Sequence, residues 1–149
     1  MTFSGSQYPL NIIVLLITCA LFSACSSEAQ INQSDSAAKG YSDISATDAG
    51  ALVAKSGVSG GSVRVIDTRT PAEFNRGHIK GALLIDYRAS DFKQQLAKLD
   101  RDLTYLLHCK SGGRSSRAIA TFKELGFSNV VHMPEGYDGW VKAGFPVAN

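Results

Sequence analysis

Residues 104–125 constrain the fold more than any other part of this chain. The run Thr104-Tyr105-Leu106-Leu107-His108 shows no alternation of polar and apolar positions, so it reads as a strand buried on both faces. Residues 109–114, Cys-Lys-Ser-Gly-Gly-Arg, break that strand with two glycines. Behind them Ala118, Ile119, Phe122 and Leu125 recur at helical spacing and stop at Gly126. A buried strand that runs through a short loop into an amphipathic helix is a unit of a parallel sheet, because parallel neighbours need a crossover between them.

The same alternation extends over residues 41–149. The spacing predicts helices over 45–55, 90–99 and 137–143, strands over 63–67 (VRVID), 82–85 (ALLI) and 130–132, and one helical turn over 71–74 with Pro71 at its first position behind Thr70. The expected fold class is therefore α/β, a small parallel sheet with helices on both faces. Hydrophobic residues at 44% against 19% charged supply enough apolar surface for such a core. A net charge of +2, with Lys and Arg scattered, excludes a nucleic-acid footprint.

The first forty residues have another character. All 15 Lys and Arg and all 13 Asp and Glu residues lie after Ser27, while residues 12–22 (IIVLLITCALF) are apolar apart from Thr18. This run is shorter than the roughly 20 residues a membrane-spanning helix needs. It has the length of the apolar stretch of a secretory signal peptide. The segment Leu21-Phe22-Ser23-Ala24-Cys25 that ends it resembles the lipobox of bacterial lipoproteins. That resemblance implies a signal peptide over residues 1–24, a lipid on Cys25 and a membrane partner reached through that anchor. Ser26 in place of an Asp points to the outer membrane, with the protein in the cell envelope facing the periplasm. Residues 25–40, rich in Ser, Ala, Gln and Asn, read as a flexible tether to a domain over 41–149.

The chemistry is expected where residue 108 meets residue 109, since ligands bind at the carboxyl ends of strands in open α/β sheets. Cys109 stands there ahead of a helix N-terminus. Gly112 and Gly113 let the loop curl and aim N–H groups inward as an anion cradle, and Lys110 and Arg114 add positive potential. A thiol in such surroundings ionises more readily than a free one. Lys110, Ser111, Gly112, Gly113, Arg114 and Ser115 are therefore candidates for binding an anionic substrate beside the nucleophile, with Lys110 and Arg114 gripping it. Asp67 and Arg69, at the end of another strand, face the same crevice or brace the loop as an ion pair. His78 reads as a structural hydrogen-bonding residue. His78, His108 and His132 show no close ligand pairing, so no metal is implied. Gly112-Gly113 lacks the spacing of a P-loop, so no cofactor is implied either.

Taken together, Asp67-Thr68-Arg69 with Glu73-Phe74, Gly77-His78-Ile79 with Gly81-Ala82, Cys109 to Ser115, and Glu135-Gly136-Tyr137 with Trp140 and Gly144-Phe145-Pro146 resemble a single-domain rhodanese of the sulfurtransferase family, over residues 42–147. The resemblance implies a cysteine, Cys109, that takes sulfane sulfur from a small anionic donor such as thiosulfate, holds it as a persulfide and passes it to a thiophilic acceptor. Two other readings compete. A cysteine phosphatase or arsenate reductase would begin with His108-Cys109 but place five residues before its arginine; here Lys110 to Gly113 are four. A catalytically silent rhodanese-like binding module would typically have lost the cysteine. The three cysteines then divide: Cys19 leaves with the signal peptide, Cys25 carries lipid, and Cys109 is the remaining thiol.

Overall fold

The structure is a computed structural model that describes residues 40–56 and 61–149. The expected signal peptide, Cys25 and the tether as far as residue 39 lie outside the described residues. In chain order the elements are β1 (Gly40–Asp43), α1 (Ala46–Ser56), β2 (Val63–Asp67), α2 (Pro71–Phe74), β3 (His78–Ile79), β4 (Leu83–Leu84), α3 (Phe92–Ala97), β5 (Thr104–His108), α4 (Gly113–Glu124), β6 (Asn129–His132), α5 (Gly136–Lys142) and β7 (Val147–Ala148). Five strands form one sheet in the order β1-β6-β5-β2-β4, with every neighbouring pair parallel.

β5 lies at the centre and all five of its residues are buried, as an uninterrupted apolar run requires. Side chains of a strand alternate between faces, and two separate cores record this. Leu106, Val65 and Val131 pack with Ala49, Val53 and Trp140 of α1 and α5. Tyr105, Leu107 and Val130 pack on the other face with Leu96, Ala118 and Phe122 of α3 and α4. The expected sheet with helices on both faces is the observed one. Truncating a side chain such as Leu106, fully buried at the middle of the sheet, to Ala costs about 2–5 kcal/mol.

Two features differ from the expected pattern. Gly40, placed at the end of the tether, is already the first residue of β1 and pairs with Asn129. Gly-Tyr-Ser-Asp has no apolar alternation to mark it as a strand, and at the edge of the sheet none of its residues is fully buried. The second feature is a two-stranded antiparallel ribbon that pairs His78 with Ala148 and Ile79 with Val147. Neither segment is long enough to show a period.

Candidate active site

Parallel register brings the carboxyl ends of four strands into a row. Asp43 is level with His132, His132 with Leu107, and His108 with Asp67. Cys109 follows directly and is buried, 1% exposed. Its loop turns sharply at Gly112, whose φ of +81° is a left-handed conformation. A Cβ there would also lie 2.2 Å from the Pro134 carbonyl oxygen, so two independent constraints demand glycine. Gly113 is different: a Cβ on it would meet nothing closer than 3.8 Å.

The loop's carbonyls are drawn outward. The Tyr137 N–H donates to the Cys109 carbonyl at 2.8 Å and the Asp138 N–H to the Lys110 carbonyl at 3.0 Å. Gly136 (φ +63°) makes that approach possible, since a Cβ on it would sit 2.4 Å from the Lys110 oxygen. The loop's amides are left to face inward. Burial pushes the Cys109 thiol up, but hydrogen bonds from the backbone N–H groups of Ser115, Arg114 and Ser111 and from the Ser115 hydroxyl outweigh it. The thiol ends below its ordinary value. What the arrangement can do chemically is hold a sulfur anion in a water-poor pocket by fixed dipoles.

The charged residues singled out from sequence divide in two. Asp67 and Arg69 are buried and consumed by structure. The Arg69 Nε donates to both carboxylate oxygens of Asp67 at 3.0 and 2.8 Å, and its Nη2 donates to Asp67 at 2.7 Å and to the Gly77 carbonyl at 2.8 Å. The guanidinium lies 3.9 Å from the centre of the Tyr137 ring. This is the bracing ion pair. Lys110 is exposed at the mouth and paired with Asp138 at 3.1 Å. It is also the one loop residue lining a cavity of about 130 Å³ walled by Arg69, Glu73, Arg76, Gly77, Tyr137 and Asp138.

Arg114 touches the cysteine sulfur and is anchored elsewhere. Its two terminal nitrogens donate to the two carboxylate oxygens of Glu73, both at 2.7 Å. Glu73 closes a capping box on α2, accepting from the Thr70 N–H at 3.1 Å and the Thr70 hydroxyl at 2.8 Å. The Arg114 guanidinium holds the Glu73 carboxyl far below the usual carboxylate range, and Glu73 in turn raises the guanidinium. Sequence reasoning gave Glu73 no role at the site. The Thr70-x-x-Glu73 spacing was its only local signal.

The histidines are also placed. The His78 ring stacks on Phe74, with centroids 3.8 Å apart, and its Nδ1 meets the Phe74 carbonyl at 3.3 Å. His108 is fully buried, and desolvation lowers its basicity, so it stays neutral. Its Nδ1 donates to the Cys109 carbonyl at 3.1 Å. That leaves Nε2 as a lone pair without a partner, 3.9 Å from Asp67. Among the described residues no group of His, Cys, Asp and Glu comes together as metal ligands, and no helix is long and apolar enough to cross a membrane.

The family model of the Rhodanese-like domain matches residues 45–143. The chain is 43% identical over 84 residues to a probable adenylyltransferase/sulfurtransferase, MoeZ, of Mycobacterium tuberculosis; the match covers 56% of this chain and 21% of that protein, about a fifth of its length. It is 33% identical over 93 residues to the chloroplastic thiosulfate sulfurtransferase 16 of Arabidopsis thaliana, covering 56% of this chain and 78% of the relative. A crystal structure of a rhodanese-related protein from Thermoplasma volcanium superposes with a TM-score of 0.61 at 30% identity, covering 72% of this chain and 98% of that one.

Proposed function

The chain belongs to the rhodanese-like domain family, and on that premise we propose that it moves sulfane sulfur from a small anionic donor such as thiosulfate to a thiophilic acceptor through a persulfide on Cys109. The Cys109 thiolate attacks the outer sulfur of thiosulfate. A new S–S bond forms as the donor's S–S bond breaks, and sulfite leaves with the electron pair. A nucleophile such as cyanide then attacks the terminal sulfur of the persulfide, leaves as thiocyanate and returns the thiolate. Splitting one transfer into two easier displacements is covalent catalysis.

The observation that carries this reading is the sulfur of Cys109 at the focus of three backbone amides and one hydroxyl. The same donors stabilise the thiolate, the persulfide anion and the charge passing between them. Arg114 supports the reading in a modified form: anchored on Glu73, it presents a fixed positive charge beside the sulfur rather than a mobile clamp.

Intact-mass measurement after incubation with thiosulfate tests the proposal. One added sulfur, removed by cyanide and absent in Cys109→Ser, is the expected result. A chain that stays unmodified is a silent binding module, and one that hydrolyses a generic phosphate monoester without taking up sulfur is a phosphatase; either outcome defeats the reading. We further propose, from residues 12–26, that lipid on Cys25 anchors the domain at the outer membrane, facing the periplasm. Cys25→Ala should then leave the protein unprocessed or in the soluble fraction after cell lysis.

A further inference from the structure

Behind Cys109 runs a chain of polar side chains that the transfer reaction as described leaves unused. His132 ends β6 with its ring buried under the first turn of α4. Its Nδ1 lies 2.9 Å from the Asp43 carboxylate on β1, and its Nε2 lies 2.9 Å from the hydroxyl of Ser115, which is fully buried. Ser115 in turn reaches both the Gly112 carbonyl, at 3.0 Å, and the Cys109 sulfur. A serine hydroxyl has one hydrogen to donate. Three acceptors therefore compete for it: Gly112 O, His132 Nε2 and Cys109 Sγ.

The protonation of His132 decides the competition. With Nδ1–H directed at Asp43, neutral His132 offers Nε2 as an acceptor and draws the serine hydrogen away from sulfur. Protonated His132 donates from both nitrogens, so Nε2–H occupies a serine lone pair and the serine hydrogen is free to turn toward the sulfur. We propose that Asp43, His132 and Ser115 form a proton-sharing chain for Cys109. As the thiol ionises, its proton passes to Ser115 Oγ while the serine proton passes to His132 Nε2. One S–H bond and one O–H bond break, one O–H and one N–H bond form, and net charge is unchanged. The products are a thiolate that accepts from Ser115 and an imidazolium bonded to Asp43. Asp43 and His132 are positioning residues, since each acts on the sulfur only through Ser115.

The other groups around His132 are consistent with this task. His108 on β5 is neutral, Lys123 on α4 lies over the Tyr41 ring, and Asp43 on β1 supplies the nearest negative charge besides the sulfur. Tyr41, Asp43, Lys123 and His132 line a cavity of about 310 Å³ at the β1 edge of the sheet, which shares no wall with the cavity beside Lys110. The Asp43 side chain is 68% exposed, so the far end of the chain meets water. The proton thus has a route to solvent that does not pass through the substrate mouth.

The inference rests on Cys109 being the reacting atom, and the test reads its ionisation without any sulfur donor. Full-length protein is alkylated with iodoacetamide across a range of pH, and the rate is followed on the Cys109 peptide by mass spectrometry. His132→Gln can accept the serine hydrogen through its amide oxygen, as neutral His132 does at Nε2, but cannot take the proton. Alkylation near neutral pH should slow by about tenfold, one pK unit, and rejoin the wild-type rate in strong alkali. Asp43→Asn, at an exposed position, should slow it in the same direction by about threefold, a fraction of one pK unit. A purely structural role would lower the unfolding midpoint without moving the pH profile. Profiles that coincide with wild type in the folded variants would overturn the proposal; should His132→Gln fail to fold, Asp43→Asn decides alone. A shifted profile in a chain that takes up no sulfur would instead defeat the sulfurtransferase reading and leave the proton chain standing.

Discussion

At the end of β2 the charges of Asp67 and Arg69 are buried against each other, and every oxygen of the carboxylate is used by the guanidinium or by the Arg69 N–H. One strand over, at the end of β5, the charge belongs to a single sulfur, and what surrounds it is mostly backbone. The first end is closed: its partners satisfy each other and nothing is left to bind. The second is open to chemistry because amides fixed by a turn cannot rearrange to neutralise the anion or follow it away. Residues of the same kind, side by side in one sheet, thus become scaffold or reagent according to whether their partner is another side chain or the main chain.

Arg69→Met tests the closed end most severely. It leaves the Asp67 carboxylate buried and unpaired, a loss of about 3–5 kcal/mol, read as a lower midpoint in urea unfolding. Sulfur transfer per folded molecule should survive; unchanged stability would show that the pair does not brace the fold. Gly112→Ala tests the open end. A left-handed alanine costs about 1–3 kcal/mol, and the contact with Pro134 must be relieved by moving the very amides that face the sulfur. Activity should therefore fall further than stability does. Gly113→Ala, without a positive φ or a close neighbour, is the matched control and should retain both.

Glu73→Gln links the two ends, because Glu73 is what Arg114 leans on. A bidentate ion pair reduced to a single bond from the guanidinium to an amide oxygen should cost about 1–2 kcal/mol. The wild-type pair also carries a pH signature. Its carboxyl pKa is lowered on folding, so the stability it contributes is fully present above the ordinary carboxylate range and is lost as pH falls through and below that range. Unfolding midpoints of wild type and Glu73→Gln should converge toward acid. The smallest effect belongs to Lys110→Ala. An exposed pair with Asp138 contributes about 0–1 kcal/mol, so stability should barely move. If thiosulfate is the donor, as proposed, its KM should rise a few-fold, and the difference should shrink as added salt screens the mouth.

Much of this was legible in the chain because it is local. The strand at 104–108, the glycine turn and the helical stripe from Ala118 to Leu125 are set by side-chain period and by φ, and both are properties of neighbouring residues. Pro71 behind Thr70 announced α2 for the same reason. Arg114 shows the limit. Its charge in the loop made it a candidate for gripping an anionic substrate, but nothing local shows that its carboxylate partner, Glu73, lies 41 residues away in sequence. His132 was considered only as a metal ligand, yet it joins Ser115 to an aspartate 89 residues distant. The ribbon of β3 and β7 was missed because a two-residue strand carries no period at all.

Sequence alone determined the alternation of strand and helix, the cysteine at a strand end and the glycine that turns the loop behind it, since each follows from sterics and burial over a few residues. Tertiary structure decided which charges are spent and which remain. That choice depends on the strand order β1-β6-β5-β2-β4, which sets Asp43 beside His132 and His108 beside Asp67. Hydrogen bonds reach only about 3 Å, so no pattern along the chain can anticipate a partner that packing alone brings within range.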